Sequence, residues 1–175
     1  LYAETSCAPI HLTRILVELS GFVKKKHGKL SLTKAWKDKV ISKKRQEILF
    51  QIFSVFSQKF NWSYFDGYSS QQTGQLGFSF SLFLISKYGK VERLDKFYSE
   101  KYLKAFPKLQ GDFIDNSFKG EENRQFHDCY SIRTFDRFLE YFNMTESRAE
   151  GKLYHDSKKF IKKTAIFDDI IYFDN

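Results

Sequence analysis

Proline is nearly missing from this chain, at 2 of 175 residues, and glycine is held to 9. That scarcity excludes long linkers and low-complexity disorder, which are built from these residues. Cysteine is equally sparse: Cys7 and Cys129 stand far apart, and two such thiols are expected to stay unpaired in a reducing compartment. Long apolar runs are lacking too. The longest, residues 80–85 with Ser81 inside it, is too short to span a bilayer, and no charged-then-apolar leader opens the chain. These absences point to a cytoplasmic protein with no membrane contact. The first residue is Leu1 rather than Met, which reads as a fragment trimmed at its front. Phosphate-binding loops, dinucleotide fingerprints and Gly-x-Ser-x-Gly elbows are absent as well.

What the chain has in quantity is rings and lysine. Aromatics make up 18% of it, with 20 Phe, 10 Tyr and 2 Trp. Rings bury much surface each, so a packed interior needs no disulfide or metal at this length. The net charge of +8 is uneven: residues 1–60 hold 12 Lys/Arg against 4 Asp/Glu, and the remainder holds 17 of each. A local basic excess attracts phosphate backbones; on charge alone, a merely solvated lysine surface is about as good a reading.

One pattern appears twice. Arg14-Ile15-Leu16 and Arg137-Phe138-Leu139 each sit in an apolar helix; a charged ribbon follows, and then Thr33 or Thr164 opens another helix. Helix, two-stranded ribbon and helix, in that order, read as the second half of a winged-helix module. From Arg14 to Thr33 is 19 positions and from Arg137 to Thr164 is 27, so the second ribbon has the longer tip, where insertions are tolerated.

Periodicity fills in the rest. Residues 10–20 suit an amphipathic helix, with Pro9 in its first turn and Gly21 at its end. Residues 22–26 and 29–32 form strands around His27-Gly28. Thr33 is expected to cap a helix with Trp36, Val40 and Ile41 inward and Lys34, Lys37, Lys43 and Lys44 outward. Residues 46–60 give the clearest amphipathic stripe, through Ile48, Leu49, Ile52, Phe53, Phe56 and Phe60. A ring-rich stretch ends at the turn Asp66-Gly67. Residues 74–88 read as a buried helix, and a second helix from Leu94 stops at Pro107. Residues 108–122 are loop-like. Helices at 124–130 and 134–143, strands at 147–154 and 159–163, and a last helix with Ile166, Phe167, Ile170 and Ile171 inward complete the chain.

The arrangement resembles an uncharacterised bacterial family associated with plasmid and transposon passenger proteins. The likeness lies in residues 60–68, in Phe97-Tyr98 with Ala105-Phe106-Pro107, and in residues 129–135. It covers nearly the whole chain, as the C-terminal part of longer members. The resemblance implies a cytoplasmic bacterial setting and a link to mobile elements, and it brings no activity, cofactor or catalytic residue.

The candidate nucleic-acid surface is Lys24, Lys25, Lys26 and Lys29 on the first ribbon, with Lys34, Lys37, Lys43, Lys44 and Arg45 on and after the next helix. Such lysines contact phosphates without reading sequence. The preceding helix offers base edges only His11, Thr13, Arg14 and Glu18, too few for specific readout. From residue 124 onward there are 9 basic and 9 acidic residues, which suits packing or protein contact better than phosphate. His127-Asp128-Cys129 invites a nucleophile reading, but neighbours on a helix point apart, and a structural role is favoured. His11, His27 and His155 lack zinc-ligand spacing. Asp112 with Asp115, and Glu121 with Glu122, are carboxylate pairs by proximity alone. The rings of residues 62–68 could stack bases; core packing is the stronger reading.

The expectation is therefore a mainly α protein with small β-hairpin wings, two winged-helix-like units flanking a central helical layer, divided as 1–45, 46–123 and 124–175. The expected role is a non-enzymatic binding module without metal or cofactor, contacting DNA or RNA with weak sequence selectivity through the basic first ribbon and helix. The alternatives are a protein-interaction or homodimerisation scaffold and, held lowest, an intracellular hydrolase.

Overall fold

A computed structural model describes residues 4–42, 44–64, 66–116, 122–151 and 158–173. It is mainly helical with two small antiparallel sheets, and it divides into two compact units, Leu1–Asn61 and Trp62–Asn175. The whole +8 excess lies in the first unit; the second is neutral.

In the first unit, α1 (Ala8–Leu19) leads into the hairpin β1 (Val23–Lys26) and β2 (Lys29–Leu32), followed by α2 (Lys34–Ile41) and α3 (Arg45–Gln58). The interior is small: Leu16, Phe22, Val55, Phe56 and Phe60 are buried. Phe56 stacks on Phe60 at 5.3 Å, and Phe22 meets Trp36 at 4.1 Å. Two inward assignments do not hold. Val40 and Ile41 are 38% and 66% exposed, because α2 is a short helix that buries no residue, although its Trp36 ring packs on Phe22. The stripe on α3 is likewise buried only toward its C-terminal end, with Leu49 41% exposed.

The second unit begins with a loop, then α4 (Phe78–Tyr88), β3 (Arg93–Leu94) and α5 (Asp95–Ala105). Residues 107–116, expected as loop, wind into 3-10 turns. Next, α6 (Glu122–Ser131) runs without a break into a π-helical segment, Ile132–Leu139. The expected separate helix from 134 is thus the end of one longer helix. Across the junction Cys129, Tyr130, Arg133, Thr134, Phe135, Phe138 and Leu139 all lie inside. The strands β4 (Thr145–Glu150) and β5 (Lys158–Lys163) and the helix α7 (Ala165–Ile170) close the unit. On α7, Phe167 is buried, but Ile166 is 37% exposed. A third strand was not legible: β3 pairs with β5 at Arg93↔Ile161 and Leu94↔Phe160, giving the order β3-β5-β4. Two residues are too few to show period-two alternation.

A fully buried ion pair organises this unit. Arg133 is 0% exposed and grips Asp66, with Nε to Oδ2 at 2.5 Å and Nη2 to Oδ1 at 3.0 Å. The same guanidinium donates to the carbonyls of Ser70 and Thr73. Four of the five donors of the planar fork thereby tie the loop before α4 to the π segment. Around it the rings of Tyr98, Tyr102, Phe126, Tyr130, Phe135 and Phe138 fill the interior. Tyr130 donates to Ser81 at 2.9 Å and Tyr102 to the Leu76 carbonyl at 2.5 Å. Trp62 packs on Phe138 at 4.5 Å, so this ring of the aromatic stretch is core; Phe65 lies outside the described residues.

The duplicated pattern has a hydrogen-bonded counterpart in each unit. At the end of α1, Phe22 N–H donates to Val17 and Gly21 N–H to Glu18; after the π segment, Met144 N–H donates to Leu139 and Asn143 N–H to Glu140. Both are helix terminations of the Schellman kind, with Gly21 (φ +73°) and Asn143 (φ +54°) in the left-handed region. The threonines do not cap through their side chains. Instead, Thr33 Oγ1 donates to the Gly21 carbonyl at 2.9 Å and Thr164 Oγ1 to that of Asn143 at 2.7 Å. These bonds match Leu16 to Phe138, one position away from the Arg–apolar–Leu alignment read in the sequence.

Candidate nucleic-acid interface

The first hairpin turns at His27 (φ +50°) and Gly28 (φ +75°), two left-handed residues as a tight two-residue hairpin loop requires. That turn fixes the register Val23↔Leu32, Lys24↔Ser31, Lys25↔Leu30 and Lys26↔Lys29. Directly paired residues share a face and neighbours along a strand alternate. Lys24, Lys26 and Lys29 therefore project from one face with Ser31, while Lys25 shares the other with Val23, Leu30 and Leu32. The run of three lysines is thus divided, and only two of its members join Lys29. Lys26 and Lys29 stand directly opposite each other, an arrangement that destabilises the ladder unless an anion intervenes.

The remaining candidates differ in how far their charge is already matched. Lys34, Lys37 and Arg45 are exposed, and with the four hairpin lysines they have no ion pair among the described residues. Lys44 is paired with Glu47 at 3.1 Å, and Lys39, which the sequence did not single out, holds the same carboxylate at 2.9 Å while lying over the Trp36 ring. Hydrogen bonds from Lys39, then Lys44, hold the Glu47 carboxyl below its ordinary range. Lys43 lies outside the described residues. On α1, Arg14 bonds Glu4 at 2.5 Å and Glu18 at 2.7 Å, and His11 bonds Glu4 at 2.8 Å. Thr13 Oγ1 donates to the Pro9 carbonyl at 2.7 Å, so all four side chains considered for base readout are committed within their own unit.

In the second unit, His127, Asp128 and Cys129 do not converge. His127 Nδ1 lies 2.6 Å from Ser99 Oγ, whereas Cys129 is fully buried, and burial pushes its thiol up to about 12, the opposite of an activated thiolate. Cys7 and Cys129 are both free thiols. An open groove of about 1470 Å³ runs past α5, α6 and β4, with Asp95, Lys96, His127, Asp128, Asp136 and Lys159 on its walls. Its charges are mixed, and burial raises the carboxyls of both Asp128 and Asp136. Among the described residues no three His, Cys, Asp or Glu side chains gather as a metal site, and no helix is long and apolar enough to cross a membrane. His155 and Glu121 lie outside the described residues. Set against known protein families, curated proteins and solved structures, the chain matches none.

Proposed function

We propose that this protein is a non-enzymatic nucleic-acid-binding module that engages phosphate backbones through Lys24, Lys26 and Lys29, with Lys34, Lys37 and Arg45 extending the contact. The supporting observation is the hairpin face itself: three lysines, two of them directly opposed, with no carboxylate among the described residues to match them. Binding through such a face is weakly sequence-selective and steeply salt-dependent. Both units are read as winged-helix-like. Support comes from the repeated turn, ribbon and threonine, and in the second unit from the order helix, strand, two helices and hairpin around the sheet β3-β5-β4. The setting this reading favours is cytoplasmic, as an accessory of a mobile element.

Titration of a labelled duplex with the full chain at 50 and 200 mM salt tests the proposal. Retention that weakens sharply with salt, and is much reduced in Lys24→Ala/Lys26→Ala/Lys29→Ala, is the expected result; no retention at 50 mM overturns it. A second reading, as a protein-contact or dimerisation surface, draws on Ile41 and Phe50, which are 66% and 72% exposed on α2 and α3. A dimer by light scattering without DNA retention would favour it.

A further inference from the structure

The second unit is neutral in sum but not in distribution. At the end of α4, along β3 and on α5, three cations gather on two rings. Tyr88 and Phe97 meet edge to face at 5.2 Å. Arg93 lies 4.8 Å from the Phe97 centroid and 5.6 Å from that of Tyr88. Lys101 lies 4.8 and 5.2 Å from the same two rings, and Lys87 is 5.5 Å from Tyr88. Lys90 is exposed in the turn between α4 and β3. None of the four has an ion pair among the described residues.

Strand alternation explains the segregation. Glu92, next to Arg93, belongs to the opposite face of the sheet, where it is bound by Arg148 at 2.9 Å. That hydrogen bond holds the Glu92 carboxyl below its usual range, so this acid is already matched. Part of the cationic crowding is structural, since Arg93 Nε donates to the Tyr88 carbonyl at 3.4 Å, where a helix C-terminus favours positive charge. Lys87 and Lys101 have no such task. Their ammonium groups rest on ring faces, which attract the charge but accept no conventional hydrogen bond, and their donors stay available. With cations over the faces of both rings, base stacking is not what the site offers.

We infer that Lys87, Arg93 and Lys101, with Lys90 beside them, form a second phosphate-backbone contact for the nucleic acid that the basic hairpin is proposed to bind. The inference rests on that reading for its ligand and on separate residues for its site. The test uses the full chain and a fluorescently labelled 30-base-pair duplex, with anisotropy titrations from 50 to 200 mM salt. Each phosphate contact contributes about 0.9 to the slope of log affinity against log salt. Lys87→Ala/Lys101→Ala is expected to lower that slope by about 1.8 and to weaken binding at 50 mM about tenfold. Lys87→Arg/Lys101→Arg should restore both, which separates lost charge from lost fold. An unchanged slope in the alanine pair, with the hairpin triple variant impaired, overturns this inference and leaves the hairpin reading standing. An impaired alanine pair beside an unaffected hairpin triple does the reverse. No binding by the unaltered chain overturns both.

Discussion

The same device, a helix ending in a left-handed residue, a ribbon and a threonine tied back to that residue, serves two different surroundings. In the second unit β5 is flanked on both sides, by β4 and by β3, and its Ile161 is fully buried. In the first unit β2 pairs only with β1 among the described residues, and the matching residue, Leu30, is 45% exposed. Charge follows the same division. The second ribbon sets Glu146 against Lys162 and Glu150 against Lys158, while Lys159 and Lys163 are paired with Asp136 and Asp168 off the ladder. The first sets Lys26 against Lys29 and Lys24 against Ser31. Identical local bonding thus yields a self-neutralised packing element in one place and an unmatched cationic face in the other. The pattern of a ribbon names its geometry; its cross-strand partners decide what it can bind.

The sharpest way to break the contrast is at the second unit's buried pair. Arg133→Met leaves the Asp66 carboxylate, 2% exposed in its side chain, without its principal partner, and should cost about 3–5 kcal/mol. Urea denaturation reads this directly, and Arg133→Met/Asp66→Leu should recover most of the loss. If the single variant costs nothing, the pair does not organise the unit.

Smaller effects should appear at the shared threonines. Thr33→Val and Thr164→Val each remove one hydroxyl-to-carbonyl bond and should cost about 1 kcal/mol apiece. Near-equal losses would mark the two devices as energetic equivalents. A loss at Thr164 alone would show that the hydroxyl bond at Thr33 contributes nothing to stability.

The most modest effect is one of pH and concerns the groove. Burial, then the nearby Lys96 charge, lowers the His127 pKa from 6.5. The folded state therefore favours neutral imidazole, and the unfolded state binds more protons just below 6.5. This contribution is fully present above that pH and is lost as pH falls through the lowered folded value. The raised carboxyls of Asp128 and Asp136 act with the opposite sign, favouring the fold as they protonate. Thermal melts from pH 7.5 to 5.5 should show a decline that His127→Gln removes; an unaltered decline would assign it elsewhere.

Much of this contrast was legible in the residues. The ribbons, their order between helices and the concentration of lysine before residue 61 all follow from local signals that act within a few positions. What stayed hidden depends on contacts between distant residues. Arg133 looks like any helical arginine until Asp66 is brought to it by the loop before α4. Strand β3 exists only because β5 is there to pair with it. The division of Lys24, Lys25 and Lys26 needed the hairpin register, and the relation of Glu47 to Lys39 and Lys44 needed the turn between α2 and α3. The misplaced start at 134 came from applying a 3.6-residue period where the helix widens to the π form. Of the basic surface, composition showed the amount; geometry showed which charges were already matched.

Salt-dependent duplex binding by the full chain, compared with Lys24→Ala/Lys26→Ala/Lys29→Ala, probes the unmatched hairpin face most directly. Three contacts at about 0.9 each contribute about 2.7 to the slope, so the triple variant's slope should be shallower by that amount, which is roughly 40-fold less loss between 50 and 200 mM salt. Equal slopes for the two proteins would contradict a phosphate-binding role for that face.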